Sequence, residues 1–219
     1  QIWIERQYGI KINHKAVLRL MRKLDIRSIA RKRNLYRQIQ NRYGAIHTYP
    51  NLLVQNFKTQ RPNEKWGTDI TYVRTQKGFV YLAVIKDFFD GMILGHAMSR
   101  NFSIRMVLQA LRSAAANVSS TEGVVLHSDQ GIQFQSAAYR LLTSQLGIIP
   151  SMSRRGRCLD NAPTENFFSH LKEETLKHIK IKDFQEAVYI VEDYINFFNH
   201  ERIQLKTKLT PSEFRRQFV

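Results

Sequence analysis

Apolar residues recur at helical spacing over residues 1–33 and change to strand-like runs from Lys65 onward. Ile2, Trp3, Ile4 and Tyr8 form a short apolar patch that Gly9 closes. Asn13 is placed to cap a second helix, in which Val17, Leu18, Leu20, Met21 and Leu24 repeat at helical spacing. The other face of that helix carries Lys15, Arg19, Arg22 and Lys23. Two short helices, a glycine at their join and a basic second helix predict a helix-turn-helix-like DNA-binding region over residues 1–33. Helical hairpins that never touch DNA share this pattern, so it does not decide the matter alone. Residues 34–60 show no clear period and read as a basic linker that lies along DNA.

Segments 66–74, 79–87 and 92–99 are rich in Val, Ile, Tyr and Phe, with turn signals at Gln76-Lys77-Gly78 and Asp90-Gly91 between them. They predict three antiparallel strands. Ser103 opens an amphipathic helix to about Asn117, with Val107, Leu108 and Leu111 inward. A short strand from Gly123 to His127, a helix from about Ser136 to Leu146 and a strand at 148–152 follow. Ser153 to Arg157 reads as a basic loop, and helices near 162–177 and 184–199 complete the pattern. Hairpin strands followed by alternating helix and strand predict an α/β fold over residues 61–219, a mixed sheet flanked by helices.

Charge changes this picture most. Against 18 Asp and Glu stand 34 Lys and Arg, a net +16, and 13 of the basic residues fall within the first 60, opposed only by Glu5 and Asp25. Such density repels itself and is relieved by a polyanion, so nucleic acid is the expected partner. Ribosomal proteins and membrane-surface helices share the signature. No apolar run approaches the ~18 residues of a membrane span, and no signal peptide is visible. The single cysteine, Cys158, excludes an internal disulfide framework and a cysteine-cluster metal site. A reducing, cytosolic setting is the default that follows. The chain starts at Gln1 rather than Met, which reads as the mark of a fragment.

Three carboxylates carry the candidate chemistry. Asp69 lies in Trp66-Gly67-Thr68-Asp69-Ile70-Thr71-Tyr72, where an acid among apolar and β-branched strand residues is out of place unless paired or metal-bound. Asp129 ends the run Val124 to Ser128 just before Gly131, so it emerges where a strand enters a glycine turn. Glu165 follows Asp160 or Asn161 as helix cap and Pro163 in the first helical turn. Such an oxygen-rich set suits Mg²⁺, and two ions of that kind serve phosphoryl transfer by activating one oxygen and stabilising the other. Each acid also has a plain structural alternative: Asp69 bonding a buried hydroxyl, Asp129 shaping a turn, Glu165 pairing with a lysine.

Asp69, Asp129 and Glu165, with 35 residues between the last two, resemble the DDE triad of retroviral integrases and their transposase relatives. The local motifs are closer still to one branch, the bacterial insertion-sequence transposases whose founder is insertion sequence three. Trp66 to Tyr72, His127 to Phe134 and Asp160 to Glu174 keep every fixed position of that branch's three motifs. Gly9 to Ile26 resembles its helix-turn-helix, and Tyr194 to Phe214 its closing motif, with Asn199, Arg202 and Thr210-Pro211. Two positions depart: Ile203-Gln204 stands where a pairing with histidine is more usual, and Asn166 where serine is commoner. The resemblance implies an RNase H-like core, with Mg²⁺ or Mn²⁺ as two ions per site on the three carboxylates. It also implies DNA strand cleavage and transfer at the ends of a mobile element, by a homo-oligomer on terminal repeats and target DNA, in the bacterial cytoplasm. The usual full-length enzyme carries further amino-terminal DNA-binding and coiled-coil segments.

Several residues support this reading. Lys172 is seven positions after Glu165, on the same helical face, where it either holds a phosphate or is a solvated lysine paired with a nearby acid. Arg154, Arg155 and Arg157 beside the active helix are expected to contact phosphate, as are Lys15, Arg19, Arg22 and Lys23. His127 either orients a carboxylate or contacts DNA, or is a hydrogen-bonded structural histidine. Asn161 is read as a cap, Asp87 as structural, and Phe167, Phe168, Tyr194, Phe197 and Phe198 as core. No nucleophilic serine or tyrosine arrangement is present, so no covalent protein–DNA intermediate is expected. Three rivals stay open: a nuclease with the same core and no joining activity, a DNA-binding protein that keeps the core as scaffold, and an RNA-binding protein.

Overall fold

The computed structural model describes residues 1–26, 47–154 and 162–218, and the chain divides into two compact units, Gln1–Arg42 and Tyr43–Val219. In the first unit, α1 (Ile2–Tyr8) ends at Gly9, whose φ of 68° is left-handed and free of the penalty a Cβ would bring. Asn13 caps α2 (His14–Lys23) by accepting the Lys15 N–H at 2.9 Å. Lys15, Arg19, Arg22 and Lys23 are all exposed.

In the second unit, β1 (Lys65–Thr75) and β2 (Gly78–Asp87) form a hairpin, and β3 (Ile93–Ser99) pairs antiparallel with β2. After α3 (Ile104–Ala116) the chain returns as β4 (Val125–Ser128), parallel to β1. It then passes through α4 (Ala137–Gln145) to β5 (Ile149–Met152), parallel to β4. The sheet order among the described residues is β3-β2-β1-β4-β5. Parallel neighbours need a crossover, and α3 and α4 supply the two crossovers. The remaining elements are α5 (Ala162–Leu171), a π-helical turn (Lys172–Leu176), α6 (Phe184–His200) and α7 (Pro211–Arg215).

Strand alternation divides the core in two. Trp66, Leu94, Val107, Leu111, Leu126, Phe134 and Tyr139 pack α3 and α4 against one face of the sheet. Val73, Leu82, Val84, Phe167, Leu171, Tyr194 and Phe198 pack α5 and α6 against the other. The predicted mixed sheet flanked by helices is therefore present. Among the described residues no helix is long and apolar enough to cross a membrane.

Two expectations change. The predicted helix over 162–177 is α-helical only to Leu171; the next turn widens, with the Lys177 N–H bonded to the Lys172 carbonyl at 3.0 Å. Within that turn Glu174 accepts from Arg202 and from the Tyr194 hydroxyl at 2.8 Å, a pull from α6 and the loop after it to which apolar periodicity is blind. Phe197, read as core, is 40% exposed, because α6 buries only the stripe that includes Tyr194, Ile195 and Phe198. Asn161, read as a helix cap, lies outside the described residues, as does Cys158.

Candidate active site

The site lies where β1 and β4 part. Their parallel pairing runs only from Lys65–Val125 to Gly67–His127, so Asp69 sits two residues past the last paired position. Asp129 follows the end of β4 directly. Alternation puts Trp66 and Ile70 with one core cluster and Val73 with the other, so Asp69 faces the side covered by α5 and α6. Glu165 projects, exposed, from the first turn of α5.

Close packing brings that helix to the strand. Gly67 has no side chain, and a Cβ there would run into the Thr164 hydroxyl and the ring of Phe88. The strand residue two before Asp69 thus touches the helix residue one before Glu165. A second tie comes from Lys86 on β2, which is buried and donates from Nζ to the Pro163 carbonyl at 3.0 Å. Its ammonium also lies 5.8 Å from the centre of the Phe198 ring. Burial, then the neighbouring Arg202, pull the Lys86 pKa down to about 8, with Asp90 opposing.

Asp129, Glu165 and Lys172 all act electrostatically on Asp69. The Asp69 carboxyl is pushed up to about 7, first by burial, then by the Asp129 charge and more weakly by Glu165; the Ile70 N–H and Lys172 oppose the rise. The Ile70 N–H reaches Asp69 Oδ1 at 2.7 Å. Asp129 touches water yet is flanked by enough protein for burial to raise its carboxyl too, against a 2.8 Å bond from the Gly131 N–H. That bond makes Asp129 a turn-former as well as a member of the acidic group.

An all-oxygen, negatively charged cluster in which one member resists ionisation has the donor chemistry a hard divalent cation requires. Among the described residues, however, no three His, Cys, Asp or Glu side chains already stand close enough to hold an ion. The fit is one of donor type and charge.

The other expected contacts are distributed unevenly. Lys172 begins the π turn instead of continuing α5, yet it still acts on Asp69 and lies 5.2 Å from the centre of the Tyr72 ring. Arg154 is exposed just after β5, while Arg155 and Arg157 lie outside the described residues. Lys15, Arg19, Arg22 and Lys23 belong to the other unit. His127 is buried, with Nδ1 2.9 Å from Ser151 Oγ, a bond that joins β4 to β5. Asp87 is buried and structural: it accepts from the Asn63 N–H at 2.8 Å and from Arg215 at 3.0 Å.

Sequence reasoning gave Lys86 and Phe79 no role, and Tyr72 entered it only as the last position of the first motif. Lys86 was detectable by the argument used for Asp69, because it interrupts the apolar run Val80 to Ile85. The two aromatics looked like ordinary strand residues, and only the fold exposes them.

Residues 59–158 and 165–219 match two family models described as integrase core domain, and residues 1–34 match an HTH-like domain. An uncharacterized transposase-like protein of Haemophilus influenzae is 38% identical over 209 residues, which cover 95% of each chain. Transposase InsF for insertion sequence IS3A of Escherichia coli is 32% identical over 200 residues, covering 89% of this chain and 69% of that one. In fold, this chain is similar to the HTLV-2 integrase catalytic core domain in complex with magnesium. That likeness has a TM-score of 0.55 at 16% identity and covers 74% of this chain and 99% of the other.

Proposed function

Since the chain belongs to the insertion-sequence-three family of bacterial transposases and carries an integrase core, we propose that it cuts DNA strands at the ends of a mobile element and joins the freed 3′-hydroxyls to target DNA. The observation that carries this reading is the electrostatic meeting of Asp69 with Asp129 and Glu165 at the parting of β1 and β4. Asp69, Asp129 and Glu165 would hold Mg²⁺ or Mn²⁺, two ions per site. Such a pair, when bound, supplies activation of the attacking oxygen and charge stabilisation at the departing one.

The chain's own groups do the rest. Burial of Asp69 keeps one carboxylate in a low-dielectric position, where its charge acts strongly on whatever sits beside it. Lys172 binds a backbone phosphate next to the acids, and Arg154, Arg155 and Arg157 extend that contact along the strand. The basic face of α2 within residues 1–33 and the linker at 34–60 hold the duplex while the core at 61–219 performs the chemistry. Joining two ends in concert calls for a homo-oligomer on DNA, working in the bacterial cytoplasm.

The test is strand transfer from labelled duplex ends, with and without Mg²⁺ or Mn²⁺, beside Glu165→Gln. Metal-dependent joined products that fall by at least about a hundredfold in the variant, with DNA binding retained, are expected. Nicking without joining, when pre-cleaved 3′-hydroxyl ends are supplied, would replace this reading with that of a nuclease. Binding with neither reaction would leave the core a scaffold.

A further inference from the structure

Tyr72 lies three positions beyond Asp69 on β1, about 10 Å along an extended strand. Tyr72 is 57% exposed, and Phe79, diagonally across the β1–β2 hairpin, is 54% exposed. The two rings meet edge to face, with centroids 5.3 Å apart and planes at 83°. Alternation puts Tyr72 on the opposite face of β1 from Asp69, but past Gly67 β4 no longer pairs with that strand. Lys172, whose ammonium lies within 5.2 Å of the Tyr72 ring centre, also acts on Asp69 and so links the aromatic pair to the acidic group. Arg74, exposed and directly opposite Phe79 in the hairpin register, adds a second cation beside the rings.

Two exposed aromatic rings flanked by cations, a few residues from a carboxylate cluster, match the chemistry of an unstacked nucleotide. A base in intact duplex has its faces covered by its neighbours; only an unpaired or extruded base offers a face to a protein ring. The adjoining phosphate then needs a cation, and Lys172 and Arg74 stand beside the rings. On the reading given above, that the chain cuts and joins DNA strands, we propose that Tyr72, braced by Phe79, is a stacking platform for an unpaired base beside the phosphate being cut or joined. Tyr72 is thus a contact that distinguishes a frayed strand end from continuous duplex.

The test uses the full chain and duplex DNA ends that either are fully paired or carry one unpaired 2-aminopurine next to the cleavage position. Tyr72→Ala is expected to weaken binding of the unpaired end about tenfold and to abolish the quenching of 2-aminopurine that stacking produces. Affinity for the paired end should be unchanged. Tyr72→Phe, which keeps the ring, should restore both signals, and both variants should melt with the unsubstituted chain because the ring is exposed. Equal losses on paired and unpaired ends would overturn the proposal, as would unchanged quenching. A shift in oligomeric state of Tyr72→Ala by sedimentation, without a change in selectivity between the two ends, would assign the rings to contact between copies and overturn it. If the unsubstituted chain binds neither DNA, the functional reading itself fails and this proposal falls with it. If it binds both alike while Glu165→Gln still abolishes joining, only the platform is wrong.

Discussion

Asp69 sits where burial and two neighbouring acids oppose its ionisation, which makes the stability of the metal-free protein depend on pH at this side chain. In the folded state the carboxyl ionises near 7, whereas its ordinary value is 3.8. Between those two values the unfolded chain holds fewer protons than the folded one, so raising the pH favours unfolding. The stability Asp69 contributes is complete below about 4 and lost as pH rises through about 7, an effect on the order of a few kcal/mol. Thermal melts in chelator should show the unsubstituted chain losing stability from pH 5 to pH 8 more steeply than Asp69→Asn. Parallel profiles would mean that the carboxyl does not feel its neighbours. The misplaced acid was legible in the sequence, because an Asp in an apolar strand demands compensation. That Asp129 and Glu165 press on it further, rather than compensating it, follows only once β1, β4 and α5 converge.

The element that closes the second unit is α7, only five residues long and too short to persist by itself. Its start is locally encoded: Thr210 and Glu213 form a reciprocal capping box, with Pro211 at the first helical position. Its place in the fold depends on Arg215, which reaches Asp87 at 3.0 Å, Asp90 at 2.6 Å and the Asn63 side-chain oxygen at 2.6 Å. Phe214 stacks on Phe89 with centroids 5.2 Å apart. Both aspartates have fully buried side chains; burial, then the charge of Asp87, raise the Asp90 carboxyl to about 6, and Arg215 holds it back. Arg215→Met would strand two buried carboxylates and should cost about 3–5 kcal/mol in urea unfolding. A loss under about 1 kcal/mol would show that the aromatic contacts alone seat the helix. The capping box could be read along the chain, but not the partners of Arg215, which lie 125 and 128 positions away.

Across the whole molecule, charge and chemistry are divided between units. The net +16 is concentrated in the first 60 residues, whereas the carboxylates belong to the second unit. Affinity for duplex should therefore depend steeply on salt, and the dependence should come largely from outside the active core. Replacing Lys15, Arg19, Arg22 and Lys23 together by Gln should flatten the plot of log affinity against log salt by about 0.9 for each phosphate no longer neutralised. Joining of DNA ends, assayed at DNA concentrations that saturate the variant, should be retained. An unchanged slope would mean that the basic face of α2 does not touch DNA.

The sequence by itself determined the elements and the identity of the reactive groups. Strand alternation, turn residues and caps act over a few positions, so β1 to β5 and most helices could be read from local pattern, and the three acids stood out against their apolar surroundings. Only the tertiary structure decided which groups meet. Short-range periodicity holds no record of the π turn that begins at Lys172, the passage Gly67 leaves for Thr164, the reach of Lys86 to Pro163, or the exposure of Tyr72 and Phe79. Each of these results from segments far apart in the chain competing for the same space and the same hydrogen bonds.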